Sequence, residues 1–226
     1  MNSYSKLAVE LQSLLRLRKP PIAISFKPDA SRGLVKNQHV VPSSCTFWAM
    51  ALTDEFYTTR EQHLNCSIGA LTHGYKLPGE VMPGCGCADV DAMTEAGWIT
   101  TQEIERLPRI PRHDGVVAYG PLSHAHFEPD VVLIFCNADQ AMLIKDAAGH
   151  CKLMGKPACS AIPTSYTENS VVISLGCTAS RLRAGYGPEE LIITIPAGKF
   201  PEVVEKLKSV FEADLKVAQF VESSKA

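Results

Sequence analysis

The sequence predicts an α/β (or α+β) protein built as a single compact domain over residues 1–226, with a mixed sheet. Three observations carry that reading. Short β-branched runs bounded by Gly, Pro, Asn or Asp recur along the chain, with helical periodicity between them. Apolar residues make up 46% of the 226 positions and charged residues 20%, a balance that supports a packed core and argues against disorder. No stretch has the composition of a linker that would divide the chain in two.

Five runs read as strands: Ile22–Phe26, Val116–Tyr119, Val131–Phe135, Val171–Leu175 and Leu191–Ile195. Several are apolar without alternation, as expected of strands covered on both faces. Near the N-terminus, Leu7, Leu11, Leu14 and Leu15 share one face of an amphipathic helix that Pro20 ends. A second helix is expected from Phe47 to Phe56. Asn137 caps a third over Ala138–Ala148, with Gln140 completing a capping box and Gly149 closing it. Thr178–Ala184 forms another, stopped by Gly185. A last helix opens on Pro201 and carries Val203, Val204, Leu207, Val210 and Phe211 on one face, with the final VESSKA expected to fray. The less regular stretch from Tyr75 to Asp114 contains LPGEVMPGCGCADV and LPRIPRHDG and reads as an inserted lid.

A net charge of −2 with acids and bases mixed leaves no basic face for nucleic acid. No apolar run reaches the roughly 18–20 residues of a membrane span. Glu10, Gln12, Arg16 and Arg18 interrupt the one stretch that resembles a signal peptide. A cytoplasmic protein that engages neither nucleic acid nor membrane is expected. In that reducing setting, eight cysteines are more often ligands or catalysts than disulfides.

The two halves of the chain correspond in order. The first runs PIAISF, Cys45 in CTFWAMA, Cys66 in NCSIGALTHG, then VVAYGPL; the second runs VVLIF, Cys159 in ACSA, Cys177 in GCTASRLRAG, then LIITIP. The paired cysteines are 21 and 18 residues apart, and in each half a small-residue helical turn and a glycine follow the second one. Two pseudo-related halves packed about a twofold would bring corresponding positions together near the axis. This singles out Cys45, Cys66, Cys159 and Cys177 as one set of four thiolates.

The ordered set PIAISF, CTFW, HLNCSIGA, VVAYGPL, PDVVLIFCNADQAM, ACSA, SLGCTASR and IPAGKF also resembles the family known as domain of unknown function 169, across nearly the whole chain. The resemblance implies cysteines at the positions of Cys45, Cys66, Cys159 and Cys177, leaves Cys85, Cys87, Cys136 and Cys151 outside the family pattern, and implies no reaction.

Four thiolates suit either a tetrahedral zinc ion or the corners of a four-iron cluster. Structural zinc usually takes its ligands in close CxxC pairs. Thiolates spread over about 130 residues suit a cluster held in a preformed core, and copper(I) ranks third. An iron–sulfur cluster of the 4Fe-4S type is therefore the expected cofactor, with zinc the alternative. Cys177 stands where a strand passes into a helix, a place where backbone N–H groups stabilise a thiolate, and Gly176 permits close approach. Around the four, Cys85 and Cys87 of the GCGC loop, His63, and Arg181 with Arg183 are candidates for a second layer or a substrate contact, and the loop is expected to cover the site. His73, His124 and His126 are further acid–base candidates. No GxSxG, P-loop or Rossmann fingerprint occurs. The expectation is a cluster-binding protein with a redox, sensing or small-molecule role in anaerobic-type metabolism. It would act with a small-molecule substrate or a redox partner protein, and a homo-oligomer is compatible with it. The rivals are a metal-free or zinc-bound small-molecule binder and a thiol enzyme with Cys177 as nucleophile.

Overall fold

A computed structural model describes residues 3–224. Its centre is one eight-stranded sheet formed by β1 (Ile22–Ser25), β2 (Val35–Lys36), β3 (Phe56–Thr58), β4 (Val117–Pro121), β5 (Val131–Cys136), β6 (Cys151–Met154), β7 (Val171–Ser174) and β8 (Leu191–Pro196). Their order across the sheet is β2-β3-β4-β1-β5-β8-β7-β6. Read outward from the centre this is a palindrome, in which β1, β4, β3 and β2 match β5, β8, β7 and β6. Each half pairs its strands alike, antiparallel through the inner three and parallel at the edge. The halves join through antiparallel β1 and β5, with Ile22 opposite Leu133, Ala23 opposite Val132 and Ile24 opposite Val131. The topology thus has the internal repeat that the cysteine spacing suggested.

The central strands read as continuous apolar runs because both faces are covered. From β5, Val132, Ile134 and Cys136 enter one core, while Val131, Leu133 and Phe135 enter another on the opposite face. The first core is sealed by α1 (Ser3–Leu15), α6 (Ala138–Ala148) and α9 (Phe200–Ser223), through Ala8, Leu11, Ile144, Phe200, Val204 and Leu207. The second lies beneath α2 (Thr46–Met50), α7 (Ala161–Glu168) and α8 (Thr178–Ala184). A third cluster joins α3 (Ser67–Thr72) to α4 (Ala88–Glu95) and α5 (Thr101–Arg106) through Ile68, Leu71, Val90 and Ile104. The helices α4 and α5 belong to the connection between α3 and β4. Its counterpart between α8 and β8 takes only residues 185–190, so residues 75–114 are an insertion in the repeat.

Several boundaries differ from the sequence reading. The apolar stretch from Phe47 to Phe56 is not one helix. Its helix stops at Met50, the Asp54 N–H closes a turn on Met50 O at 3.0 Å, and Phe56 opens β3. β2 and β6 lie at the sheet edges, where few partners demand an apolar pattern; Leu153 of β6 is 70% exposed. α1 ends at Leu15, five residues before Pro20, because Arg16 takes a left-handed φ of 50°. α9 continues to Ser223, so the described part of VESSKA is mostly helical, and Lys225 and Ala226 lie outside the described residues. Among the described residues no helix is long and apolar enough to cross a membrane.

The cap of α6 is as expected. The Asn137 side chain accepts from Gln140 N–H at 2.9 Å, and the Gln140 side chain accepts from Asn137 N–H at 2.8 Å. Gln140 Nε2 also donates to Leu15 O at 2.9 Å, tying α6 to the end of α1. Replacing Asn137 with alanine is expected to cost about 1 kcal/mol of stability. Urea unfolding should show this as a lower midpoint at unchanged slope.

Candidate functional site

The repeat places its cysteines at matching points. After β2, Cys45 immediately precedes α2; after β6, Cys159 lies in the tight turn Ala158–Ser160 that leads into α7. After β3, Cys66 precedes α3; after β7, Cys177 precedes α8. Cys45, Cys66 and Cys177 are each the N-cap residue of a helix. All four cysteines line a single cavity of about 310 Å³. By contrast Cys136 belongs to the core on the opposite face of the sheet, and Cys151 packs against that same core.

Backbone geometry brings the chain close to these sulfurs. Gly176 has φ 80°, and a side chain there would also overlap the Tyr186 hydroxyl, which hydrogen-bonds to Ser180. A Cβ on Gly69 would overlap Ser44 and come 2.9 Å from Cys66 Sγ, so this position must stay bare for α3 to reach the sulfur. Cys45 Sγ lies 2.9 Å from Ser43 Oγ, and Cys177 Sγ lies 3.4 Å from Ser180 Oγ.

Burial dominates the electrostatics of the thiols. It pushes Cys45 up to about 11, with the Ser43 hydroxyl opposing and the Cys66 and Cys177 thiols adding to the rise. Cys66 is also raised by burial, while the N–H groups of Ser44 and Gly69 and the Ser44 hydroxyl pull it back. Cys159 is held well above the usual range by burial first, then by Cys66, Cys177 and Cys45, with the Thr72 hydroxyl opposing. At neutral pH these three groups are thiols unless a cationic centre takes the place of their protons.

The expected second layer is only partly there. His63 is buried. Its Nε2 lies 2.9 Å from the Thr58 hydroxyl and its Nδ1 2.8 Å from the Ser44 hydroxyl. His63 therefore positions Ser44 against Cys66 rather than facing the cavity. Arg181 also points elsewhere, bonding Gly187 O at 2.5 Å and Leu175 O at 2.7 Å and stacking on Tyr186. The arginine that lines the cavity is Arg183, which bonds Pro42 O. His126 pairs with Glu55 and His124 with Ser123. Among the described residues no histidine lines the cavity.

The inserted segment forms one wall of the cavity through Asp89, Met93 and Trp98. Asp89 also accepts from the Ser67 N–H at 2.7 Å and the Ser67 hydroxyl at 2.8 Å, fixing α4 to the start of α3. The GCGC loop does not line the cavity. Cys85 and Cys87 are bonded to each other, and the Cys87 sulfur meets Lys76 Nζ at 3.7 Å and Glu80 O at 3.5 Å. Sequence reasoning missed Ser44, Gly69, Met93 and Trp98. Only the serine beside Cys45 and the glycine three residues after Cys66 left a local signal. Among the described residues no three or more His, Cys, Asp or Glu side chains are drawn together around a single ion.

The family model described as DUF169, Uncharacterised ArCR, matches residues 10–206, and the chain belongs to that family. It is similar to a protein of Methanocaldococcus jannaschii named Uncharacterized protein MJ0308, at 24% identity over 92% of this chain and 95% of that one. No solved structure matches the chain.

Behind the cavity, His73 is buried with Nδ1 donating to Gly69 O at 2.8 Å. Burial lowers it from 6.5 to about 4, with the Gly69 bond opposing and His113 adding to the fall. A depressed pKa means that the neutral, folded form is favoured above pH 6.5 and that this advantage is lost as pH falls towards 4. The native state is therefore expected to lose roughly 3 kcal/mol at this group over that interval. His73→Asn keeps a donor for Gly69 without titrating there, and should flatten this part of a urea-midpoint profile against pH.

Proposed function

We propose that the protein binds an iron–sulfur cluster of the four-iron type at Cys45, Cys66, Cys159 and Cys177, and that this centre serves a redox or sensing role in a cytoplasmic, anaerobic-type metabolism. The observation that carries the reading is that two cysteines from each half, at matching points of the repeat, line one cavity. Four thiolates drawn from separate turns, with no close CxxC pair among them, favour a cluster over zinc. A tetrahedral zinc needs its sulfurs about 3.8 Å apart, whereas the corners of a four-iron cluster hold theirs at roughly 6–7 Å. A cavity of about 310 Å³ lined by all four cysteines has room for the larger object.

The surroundings support this. Four thiolates and a cluster leave net negative charge. The amides of Ser44 and Gly69 donate to Cys66, and Arg183 adds a positive group at the rim. When bound, the cluster supplies one-electron chemistry. The chain's own part is to hold the four sulfurs, exclude water with Ile68, Met93 and Trp98, and keep Ser44 in place through His63. A second reading, a metal-free pocket for a small acidic ligand, is favoured by the same apolar wall beside Arg183. A thiol enzyme built on Cys177 has less support, because among the described residues no histidine lines the cavity.

Anaerobic purification with iron and sulfide analysis separates these readings. The expected result is a brown protein with about four irons and four sulfides per chain and broad absorption near about 400 nm that reductant bleaches. Cys66→Ser or Cys177→Ser should lose most of the iron, because a hydroxyl is a poor substitute for a soft thiolate. Cys136→Ala, on the far face of the sheet, should keep it. A colourless, iron-free anaerobic preparation would sink the cluster reading and leave the acidic-ligand pocket.

A further inference from the structure

The cysteines that the cavity does not use form a separate arrangement. Cys85 and Cys87 are joined by a disulfide with Cα atoms 5.4 Å apart. Two glycines, Gly84 at φ 81° and Gly86 at φ 79°, supply left-handed backbone on both sides of Cys85. Nothing lies within 4 Å of a Cβ built on either, so the requirement is for backbone shape rather than space. Gly84 N–H donates to Asp91 Oδ1 at 2.8 Å and Cys85 N–H to Met82 O at 3.0 Å, fixing the loop against α4. The two sulfurs are in unlike surroundings. Cys85 is exposed at the tip, while Cys87 is half-buried as the N-cap of α4, with Lys76 Nζ 3.7 Å from its sulfur.

From this asymmetry we propose that Cys85 and Cys87 are a thiol–disulfide exchange site that takes an external dithiol, independent of the four-cysteine cavity. A donor thiolate attacks Cys85 Sγ, on the more exposed residue of the pair. The bond to Cys87 breaks, and Cys87 leaves as a thiolate beside the Lys76 ammonium. The second thiolate of the donor then attacks the donor sulfur of the mixed disulfide. Cys85 departs as a thiolate and the donor closes its own disulfide. Two electrons and two protons pass from the dithiol to the pair, and the reverse sequence oxidises a dithiol. A leaving thiolate stabilised by a cation departs faster, which is the part Lys76 plays. In a reducing compartment a permanent disulfide is unusual and a cycling one is not. Cys85 is exposed, so recognition rests on sulfur chemistry, open to a small dithiol or to one carried on a protein.

The test uses the full chain. A Glu-specific protease cutting at Glu80 and Glu95 isolates both cysteines in one fragment, whose redox state mass spectrometry reads after alkylation. The oxidised pair is incubated with dithiothreitol or with reduced thioredoxin at equal dithiol concentration. Faster reduction by thioredoxin identifies a protein donor, and faster reduction by dithiothreitol a small one. Failure of both to reduce the pair in the folded protein overturns the proposal. Lys76→Met should slow reduction about five-fold while Lys76→Arg retains it, and equal rates for both would remove Lys76 from the mechanism. Challenged with glutathione disulfide, which supplies the oxidised sulfur and releases one glutathione thiolate, Cys87→Ser should form a lasting mixed disulfide at Cys85 at least about ten-fold faster than Cys85→Ser forms one at Cys87; equal rates overturn the assigned order of attack. The double change C85S/C87S should keep the wild-type iron content, whatever that is. Loss of iron would put the pair among the cavity's ligands and overturn their independence, whereas an iron-free wild type would leave the exchange test intact.

Discussion

Three residue pairs between β1 and β5, Ile22 with Leu133, Ala23 with Val132 and Ile24 with Val131, join the halves of the molecule. Their register decides which side chains face which core. Ala23, Val132 and Ile134 meet the α1–α6–α9 layer, while Ile22, Ile24, Val131, Leu133 and Phe135 support the cysteine-bearing side. A slip of one residue would turn every one of these side chains to the wrong face. It would also displace one half of the repeat against the other, and with it two of the four sulfurs. The cavity is therefore a consequence of the central pairing and not of any local motif, which explains why no CxxC spacing is needed to assemble it.

How much of this was legible in the sequence depended on where each residue gets its constraint. The five strands read from sequence are the central ones and β7, whose burial forces apolar β-branched residues. β2 and β6 at the edges, and the three-residue β3, lack that pressure. The helix expected from Phe47 to Phe56 failed because Thr53, Asp54 and Glu55, which would suit an exposed helix face, instead separate α2 from β3. The four cysteines were legible because the repeat marks them twice. Arg183 could not be told from Arg181 by sequence, since which of the two turns inward depends on Tyr186 and the Gly187 carbonyl capturing Arg181. His63 looked like a ligand candidate from its place three residues before Cys66. Its two ring nitrogens are instead committed to Ser44 and Thr58 by a fold-level contact.

Burying Cys45, Cys66 and Cys159 around one space has a definite electrostatic consequence. With Cys45 held at about 11, ionising that group at its ordinary 9.0 costs roughly 3 kcal/mol, and each neighbouring thiolate would add to the cost. A buried set like this has two stable conditions: all protons retained, or thiolates neutralised by a cationic centre. A lone nucleophile needs the opposite arrangement, one thiolate favoured over its neighbours with a base alongside. The raised thiols of Cys45, Cys66 and Cys159 therefore suit the proposed ligation better than nucleophilic catalysis at those three positions.

The repeat is broken in one place, and the break shapes the cavity. Between α8 and β8 the chain needs only residues 185–190, but between α3 and β4 it makes a long excursion carrying α4 and α5. That excursion has its own apolar cluster, in which Val90, Ile99 and Ile104 pack on Ile68 and Leu71 of α3, so it is a fixed wall and not a loose flap. Asp89 bonds the residue that follows Cys66, so the wall and one sulfur-bearing turn move as a unit. The first half thus contributes apolar cover through Met93 and Trp98, and the second contributes the positive charge of Arg183. A strictly symmetric protein would present the same surface from both sides. The insertion gives the cavity an apolar side and a cationic side, the polarity required to orient whatever approaches it.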